Sequence, residues 1–261
     1  MTSSIPILVF SDLDGTLIDH DTYRWDAAQP ALDALDRLGA GVILASSKTS
    51  AELINLQRSI GLMQWPAIVE NGAAILTPNA TDSQQGSRYA DLRSTLDKLP
   101  VDLRQCFKGF GDMQLQEVVD ATGLTIDSAM LATQRTYSEP GIWSGSQAQQ
   151  IKFLELLSRQ GIFAREGGRF LTLSYGQTKA DCMQQIIKQY NPRYTIALGD
   201  APNDVEMLEA ADIGVIVANP HRNPLPRLTN EANGQIIRTE LAGPQGWNKA
   251  ILGIISRLEI N

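Results

Sequence analysis

Two aspartates separated by a single residue are the feature of this chain best suited to chemistry. Asp12 and Asp14 follow the apolar run Ile5–Phe10 and precede Gly15 and Thr16. Residues two apart in an extended segment point to the same side, so both carboxylates can reach one small volume. Such close carboxylates oppose each other's ionisation, and a hard cation such as Mg²⁺ would relieve the repulsion. One carboxylate could then act as a nucleophile, although Asp and Gly here also fit an ordinary turn.

A second group of polar residues follows the apolar run Val42–Ala45. Ser46, Ser47 and Lys48 come directly after this run, and Thr49–Glu52 has the capping-box pattern that begins a helix. Hydroxyl groups, a lysine and the unpaired N–H groups of a helix start together suit a bound phosphate. The hydroxyls could equally serve only as helix caps.

Oxygen ligands crowd the segment after the predicted strand Tyr194–Leu198. Gly199 permits a close approach of the backbone, and Asp200, Asn203 and Asp204 follow in one loop. Carboxylate and amide oxygens of this kind suit a hard cation. A turn with a helix cap from the asparagine is the alternative interpretation.

A lysine is predicted to open the helix Lys179–Tyr190. The helix dipole disfavours a positive charge at a helix N-terminus. A lysine placed against this preference indicates an anionic partner, whereas a lone lysine is more often simply exposed to solvent.

Strand-like and helix-like segments alternate at both ends of the chain. Apolar residues at helical spacing predict a helix over Asp26–Leu38, between the first two strand candidates. This alternation predicts an α/β fold, with a doubly wound, mostly parallel sheet as a Rossmann-like core. After the polar stretch 79–88, longer helical stretches alternate with short strands. This change predicts an inserted α+β cap domain over 83–175, so that the core comprises 1–82 and 176–261. Ligands bind at the carboxyl ends of the strands in such sheets, which is where these polar groups lie.

The bulk composition restricts the class of protein. The 261 residues are 43% hydrophobic and 20% charged, as in a globular protein with a packed core. The net charge of −7 argues against a broad surface for nucleic acid or an anionic membrane. Cys106 and Cys182 lack metal-site spacing and indicate a reducing compartment, and the first apolar run is too short for a signal peptide or a membrane span. We therefore expect a soluble cytoplasmic protein with neither a nucleic-acid nor a membrane partner, and its oligomeric state stays open.

The order of these features resembles the phosphatases of the haloacid dehalogenase superfamily. The four motifs of that family match Asp12-Leu13-Asp14-Gly15-Thr16, Ser46, Lys179, and Gly199-Asp200 with Asn203-Asp204. The insertion resembles the family's larger type of cap. Further segments are similar to the mannosyl-3-phosphoglycerate phosphatase branch of the superfamily, namely Ser46–Thr49, Glu70–Ile75, Tyr137–Pro140, Gly167–Phe170 and Gly243–Asn248.

The resemblance implies a Mg²⁺-dependent phosphatase that converts mannosyl-3-phosphoglycerate, or a close glycosyl-3-phosphoglycerate, to mannosylglycerate and phosphate. Asp12 would attack phosphorus and become a phosphoaspartate, and Asp14 would act as the acid and then the base. The implied ligands of Mg²⁺ are Asp12, Asp14, Asp200, Asn203 and Asp204. The implied phosphate-binding residues are Ser46, Ser47, Lys48 and Lys179.

The predicted cap must recognise the rest of a small phosphorylated sugar-acid substrate. Arginine can bind a carboxylate through two parallel hydrogen bonds, and a glutamate accepts bonds from sugar hydroxyls. The candidates with suitable chemistry are Asn71, Arg135, Glu139, Arg165 and Arg169. Each charged residue among them could instead be an ordinary surface charge or part of a salt bridge within the cap.

Several other functions stay open at this point. A phosphatase for the glucosyl analogue and a broad-specificity sugar-phosphate phosphatase belong to the same class. A phosphomutase would need a feature that retains an intermediate. From another class, a phospho-accepting signalling domain would be shorter and would need neither the Asp-x-Asp spacing nor a cap. A non-catalytic sugar-phosphate sensor would not require the intact set of acids and lysine.

Overall fold

The computed structural model describes residues 5–80, 87–167 and 170–259 of the chain. Its strands, in chain order, are β1 Ile7–Ser11, β2 Gly41–Ala45, β3 Ala67–Val69, β4 Ala74–Leu76, β5 Phe107–Gly109, β6 Glu139–Trp143, β7 Phe163–Gly167, β8 Phe170–Ser174, β9 Tyr194–Gly199, β10 Ile213–Ala218 and β11 Ile236–Ala242.

The α-helices are α1 Gln29–Arg37, α2 Ser50–Ile60, α3 Ser87–Asp97, α4 Val101–Arg104, α5 Leu115–Thr122, α6 Ile126–Ala132, α7 Gln147–Ser158, α8 Lys179–Tyr190, α9 Val205–Ala210 and α10 Gly243–Arg257. Short 3-10 helices cover Asp26–Ala28, Glu70–Gly72, Phe110–Asp112, Pro202–Asp204 and Thr229–Glu231.

Among these described residues, seven strands form one sheet in the order β11-β10-β9-β1-β2-β3-β4. The pairings from β11 to β3 are all parallel. Both β1 and β2 are buried along their whole length, as expected for strands with both faces of the sheet covered. The predicted α/β class with a mostly parallel, Rossmann-like sheet is therefore confirmed. The segments that follow the central strands lie at the same edge of this sheet.

The first predicted helix is shorter than its periodicity indicates. Asp26–Ala28 forms a 3-10 turn, and α1 begins only at Gln29. Pro30 lies in the first turn of α1, where a missing N–H costs no intrahelical hydrogen bond. The next N–H group, that of Ala31, donates to the Asn248 side chain at 2.9 Å. One unpaired donor of the helix start is thus satisfied by α10.

The chain divides into two compact units. The first comprises Met1–Ser46, Gln64–Ile68 and Lys179–Asn261, and the second comprises Ser47–Met63 and Val69–Thr178. The domain boundaries predicted from the sequence, after 82 and before 176, mark an insertion between two motifs and not a compact unit. They stay a prediction. Most of the predicted linker, residues 81–86, lies outside the described residues.

The second unit has α+β character. Its strands form an antiparallel sheet in the order β5-β6-β8-β7. An apolar cluster that includes Leu92, Phe107, Phe153 and Leu173 is buried between this sheet and helices such as α3 and α7. Burial of these large side chains supplies the hydrophobic stabilisation that a packed unit of this size needs.

No helix in the described part of the chain is long and apolar enough to span a bilayer.

Candidate active site

A buried lysine joins two of the predicted site aspartates within the first unit. Lys179 is the first residue of α8 and is only 2% exposed. Its Nζ donates to Oδ1 of Asp12 at 2.6 Å and to Oδ1 of Asp204 at 2.7 Å. The lysine therefore has anionic partners and is not a solvated side chain. Its placement against the helix dipole is offset by two nearby carboxylates.

Burial and charge perturb the titration of this group of residues. Burial raises the pKa of Asp12 to about 6, the charge of Asp204 adds to the rise, and Lys179 opposes it. Burial disfavours the ammonium of Lys179, but the carboxylates of Asp12 and Asp204 outweigh it and raise the lysine pKa above its usual value. The lysine is thus a fixed cation, whereas Asp12 titrates near neutrality.

Asp200 is the third buried carboxylate of the first unit's site. Its Oδ1 accepts a hydrogen bond from Thr16 at 3.1 Å, and its Oδ2 accepts one from the Asn219 amide at 2.8 Å. Nε of Arg222 lies 3.2 Å from the same Oδ2 atom. Burial raises the pKa of Asp200 to about 6, and the charge of Asp12 contributes to the rise. These contacts fix the orientation of the carboxylate.

A tight loop after β9 positions Asp204. The backbone N–H groups of Asp200 and Ala201 donate to Oδ2 of Asp204 at 3.2 and 3.1 Å. A side chain at Gly199 would overlap the Asp204 carboxylate, so the glycine permits the close approach that the sequence predicted. Asn203 is half-buried in the 3-10 turn Pro202–Asp204. The loop therefore brings one aspartate oxygen towards the lysine and binds the other to the backbone.

The turn after β1 depends on its glycine. Gly15 has a φ of +86°, and a Cβ at this position would overlap the Asn219 amide. The Gly15 N–H donates to the carbonyl of Ile18 at 2.8 Å, which closes the turn. Asp14 precedes this glycine and is half-buried. The segment thus forms the turn that its sequence indicates and also carries both aspartates, and the catalytic role of the two carboxylates stays a prediction.

Three carboxylates of the first unit form a group that could hold a metal ion. Oxygen atoms of Asp12, Asp200 and Asp204 all lie within 4.8 Å of one another. Carboxylate oxygens are the ligands that Mg²⁺ prefers. Burial is the main cause of the raised pKa values of Asp12 and Asp200, and repulsion between neighbouring carboxylates adds to it. A divalent cation would neutralise that repelling charge. The residues present therefore fit such an ion. The Asp14 carboxylate is not a member of this trio.

The segment after β2 is divided between the two units. Ser46 is buried in the first unit, and its N–H donates to the Ile68 carbonyl at 2.9 Å. In the second unit, Ser47 is exposed and Lys48 is half-buried. Thr49 and Glu52 form the predicted capping box at the start of α2, with the Thr49 N–H donating to the glutamate at 2.8 Å. The helix start is thus built as the sequence indicates, and the phosphate role of its residues stays a prediction.

Glu139, a predicted substrate residue, is fully buried in the second unit. Its Oε2 accepts a hydrogen bond from the Tyr89 hydroxyl at 2.6 Å, and its Oε1 accepts bonds from Arg93 and from the Gly111 N–H at 2.8 Å each. Burial raises the pKa of this carboxyl, while the hydrogen bonds from Tyr89 and Gly111 and the charge of Arg93 oppose the rise. Groups of its own unit engage both oxygens, and its contact with a substrate stays a prediction.

Another buried glutamate organises a second segment of the same unit. Glu70 accepts hydrogen bonds from the N–H groups of Thr136, Tyr137 and Ser138 at 2.9, 3.2 and 2.8 Å. The Ser138 hydroxyl donates to the same carboxylate at 2.7 Å. Successive backbone N–H groups that converge on one anion form a concave binding site for it. Here that site is filled by the protein's own side chain.

Two more predicted substrate residues surround this glutamate. Asn71 has a φ of 61° between Glu70 and Gly72, whose φ values of 50° and 93° are also positive. Nη2 of Arg135 is 3.3 Å from the Glu70 carboxylate, and Nη1 of Arg135 donates to the Ser47 carbonyl at 3.2 Å. Left-handed backbone at consecutive non-glycine residues is costly and persists only where surrounding contacts enforce it. Glu70 and Arg135 supply such contacts.

Two predicted substrate residues remain, Arg165 and Arg169. Arg165 is half-buried on β7, opposite Thr172 of β8. Arg169 lies outside the described residues. Their predicted roles in substrate binding stay predictions.

Sequence reasoning missed several residues that touch the site aspartates. Asn219 and Arg222 follow β10, and Thr16 belongs to the first motif, yet none of them was assigned a role. Ligands bind at the carboxyl ends of parallel strands, which is why the loops after β1 and β9 were selected, and the loop after β10 meets the same condition. Applied there, it would have found Asn219, since this residue directly follows Ala218, the last residue of the strand.

Comparison with known proteins identifies the family. A model of the haloacid dehalogenase-like hydrolases matches residues 9–99 and 146–232. A protein of Persephonella marina named glucosyl-3-phosphoglycerate/mannosyl-3-phosphoglycerate phosphatase is 34% identical, over 97% of this chain and 98% of the relative. A protein of the same name from Methanococcoides burtonii is also 34% identical, over 96% of this chain and 97% of the relative. The predicted family resemblance is confirmed.

A solved structure has the same fold. The sucrose-phosphatase from Synechocystis sp. PCC6803 superposes with a TM-score of 0.63, and the alignment covers 98% of each chain. The sequence identity is 18%, so this likeness concerns the fold alone.

Proposed function

The chain belongs to the haloacid dehalogenase-like hydrolases and is a phosphoric monoester hydrolase, and we propose that its substrates are mannosyl- and glucosyl-3-phosphoglycerate. The products are the glycosylglycerate and inorganic phosphate. The names of the two relatives, each 34% identical over almost the whole length of both chains, support this substrate class. Both names include glucosyl- as well as mannosyl-3-phosphoglycerate, so the proposal covers the two sugars.

The observation that carries the phosphoryl chemistry is the pairing of Asp12 with Lys179. Phosphoryl transfer depends mainly on positioning and charge neutralisation, and this pair supplies a positioned carboxylate beside a fixed cation. Asp12 is 8% exposed, and Oδ1 of its carboxylate lies 2.6 Å from the lysine Nζ. A nucleophile held in this way loses little conformational freedom when the substrate binds.

In the proposed first step, a carboxylate oxygen of Asp12 bonds to phosphorus while the bond from phosphorus to the glycerate oxygen breaks. Asp14 donates its proton to that leaving oxygen. The covalent phosphoaspartate divides one difficult displacement into two easier ones. Acid catalysis of this kind typically contributes about 10²–10⁴-fold to the rate.

In the second step, Asp14 is a carboxylate and takes a proton from water. The water oxygen bonds to phosphorus, and the bond between phosphorus and Asp12 breaks. Phosphate leaves, Asp12 is again a carboxylate, and Asp14 is again protonated. The cycle therefore consumes one water molecule and needs no other reactant.

A magnesium ion fits the proposal. When bound, Mg²⁺ would neutralise phosphoryl and carboxylate oxygens. The proposed ligands are Asp12, Asp14 through its backbone carbonyl, Asp200, Asn203 and Asp204. Thr16 and Asn219 orient the Asp200 carboxylate by the hydrogen bonds described above. These hydrogen bonds hold one proposed ligand in a fixed orientation.

Binding of the substrate is assigned to two further groups of residues. Ser46, Ser47, Lys48 and Lys179 are proposed to hold the phosphoryl oxygens. Asn71, Arg135, Glu139, Arg165 and Arg169 are proposed to recognise the sugar and the carboxylate. The contacts of Arg135 and Glu139 inside the second unit support a further role for both in maintaining that unit.

The hydrolase family and the two relatives named as phosphatases support an enzyme over the signalling-domain and sensor alternatives. The broad-specificity phosphatase differs from our proposal only in substrate range. A measurement of phosphate release therefore separates the two. The substrates are both glycosyl-3-phosphoglycerates and a panel of hexose phosphates, each assayed with Mg²⁺ and with a chelator.

We expect kcat/KM for the glycosyl-3-phosphoglycerates to exceed that for any hexose phosphate by roughly tenfold or more, because their carboxylate and sugar both contribute binding. Comparable values across the panel would favour the broad-specificity enzyme. Release from none of these esters would overturn the proposed function.

A further inference from the structure

An arginine that none of the roles above uses lies against the first unit's carboxylate group. Arg222 belongs to the segment between β10 and β11, and its side chain is 40% exposed. The Asp200 side chain beside it is 1% exposed. The guanidinium thus extends from solvent to a buried acid. Both residues, with Asn219, line a cleft of about 390 Å³.

Contacts of Asn219 and His221 hold the segment that carries Arg222. The Asn219 amide donates to Asp200 at 2.8 Å, and its oxygen accepts a hydrogen bond from the His221 N–H at 2.9 Å. The His221 ring stacks on His20 with 4.3 Å between centroids, and its Nε2 lies 3.3 Å from the Asp21 carboxylate. These contacts constrain the backbone on which Arg222 stands.

Most hydrogen-bond donors of Arg222 remain for a further partner. An arginine side chain has five N–H donors, and the contact with Asp200 involves Nε. Within residues 5–80, 87–167 and 170–259, Asp200 is the one side chain that pairs with the Arg222 guanidinium. The two terminal amino groups can therefore form a bidentate pair with a carboxylate that enters the cleft.

Lys179 and Arg222 pair with different acids of the first unit. Lys179 pairs with Asp12 and Asp204, whereas Arg222 pairs with Asp200. A glycosyl-3-phosphoglycerate also carries two anionic groups, since its carboxylate is two carbon–carbon bonds from the carbon that bears the phosphate. A second cation beside the acids gives the second anion a favourable partner in the same site.

We infer that Arg222 binds the substrate carboxylate and is a determinant of specificity for phosphoglycerate esters. This inference rests on the proposed function, and it assigns the carboxylate to a residue of the first unit. Of the earlier candidates for that role, Arg135 and Arg165 belong to the second unit.

The test compares two substrates that differ only in the carboxylate. They are glucosyl-3-phosphoglycerate and 2-O-glucosylglycerol 3-phosphate, in which a hydroxymethyl group replaces the carboxylate. The measured quantity is the ratio of their kcat/KM values. In Arg222→Met this ratio should fall by about 10- to 100-fold, the range expected for loss of a charge-assisted pair.

Two further variants define the result. Arg222→Lys keeps the charge but loses the planar fork, so its ratio should lie between those of the wild type and Arg222→Met. Arg227→Met removes an exposed arginine of the same segment and should leave the ratio at the wild-type value. A ratio unchanged in Arg222→Met overturns the inference, because a merely structural role would affect both substrates equally.

A binding experiment separates this inference from the proposed function. Calorimetry would measure 3-phosphoglycerate and glycerol 3-phosphate binding in an Asp12→Asn background, with and without Arg222→Met. Tighter binding of 3-phosphoglycerate that Arg222→Met abolishes supports the inference, even if the wild type hydrolyses no glycosyl ester. Equal affinities for the two ligands would overturn it, even if the glycosyl esters are substrates.

Discussion

The Lys179 ammonium and the Asp12 carboxylate are 167 positions apart in the sequence and 2.6 Å apart in the fold. Asp204 accepts a second bond from the same ammonium at 2.7 Å. A single cation therefore separates two buried acids, and a third, Asp200, lies beside them. The stability of this arrangement and its reactivity depend on the same charges.

Replacement of Lys179 should destabilise the protein strongly. Lys179→Met leaves buried carboxylates without their cation, and we expect the free energy of unfolding at pH 7.5 to fall by about 3–5 kcal/mol. Urea denaturation in the presence of a chelator would measure the loss. Lys188→Met is the matched control, because Lys188 is an exposed lysine of the same helix. A loss below about 1 kcal/mol, the value typical of a surface pair, would contradict the buried ion pair.

The stability of the metal-free protein should rise as the pH falls. Burial raises the pKa of Asp12 and Asp200 from 3.8 to about 6, so the folded state binds protons that the unfolded chain does not bind between these values. From pH 7.5 to pH 5, the unfolding free energy should increase by about 1–3 kcal/mol. Chelator-treated protein, unfolded in urea at a series of pH values, gives the measurement.

The variant Asp200→Asn separates this effect from other titrations. It removes one of the two groups whose pKa is raised, so the increase in unfolding free energy between pH 7.5 and pH 5 should shrink by about half. An increase of the same size in the variant would show that other groups are responsible.

Addition of Mg²⁺ should stabilise the protein more at pH 7.5 than at pH 5. Protons and the cation compete for the Asp12 and Asp200 carboxylates, and binding to the folded state alone raises its stability by mass action. Thermal unfolding at each pH, with and without the ion, measures the difference. Equal shifts at the two pH values, or a shift that persists in Asp200→Asn, would count against this metal site.

Replacement of the nucleophile should separate activity from stability. Asp12→Asn removes an attacking oxygen and one of the repelling charges. We expect turnover to fall by roughly 10³-fold or more, while the metal-free protein unfolds at the same temperature as the wild type or higher. Phosphate release and thermal unfolding of the same preparation give both values. Residual turnover above about a tenth of the wild-type rate would exclude Asp12 as the nucleophile.

The second unit should depend on Glu70. Glu70→Gln places an amide group against backbone N–H donors, and we expect a loss of about 2–4 kcal/mol in the free energy of unfolding. Circular dichroism during denaturation would record it. Glu155→Gln, at an exposed position on α7, is the control and should change stability by less than about 0.5 kcal/mol. If the two variants behave alike, the Glu70 carboxylate does not organise residues 136–138.

Local patterns predicted the elements that carry the site. The spacing of Asp12 and Asp14, the capping box at Thr49 and the glycine before Asp200 are properties of short segments. Their conformations depend on neighbours within a few positions, so the sequence contains what is needed to predict them. The alternation of strands and helices then predicted a parallel sheet, and in such sheets ligands bind at the carboxyl ends of the strands.

Contacts between distant segments could not be predicted in this way. Nothing near Glu70 in the sequence indicates that its carboxylate binds the N–H groups of Thr136, Tyr137 and Ser138. The chemistry of Glu139 suited a sugar hydroxyl, yet its oxygens are engaged by Tyr89 and by other groups of its own unit. Such pairings depend on how whole elements pack, which leaves no local pattern.

By itself, the sequence determined the type of chemistry, because a pair of acids, a lysine and an acidic loop follow predicted strands or begin a predicted helix. Only the tertiary structure decided which partner each group has. Lys179 could have met any anion, and packing of α8 places it between Asp12 and Asp204. Arg222 is identified as a site residue only by the tertiary structure, in which the segment after β10 packs against Asp200. The physical reason is range: turn and strand preferences act over a few residues, whereas charge pairing requires distances that the complete fold alone sets.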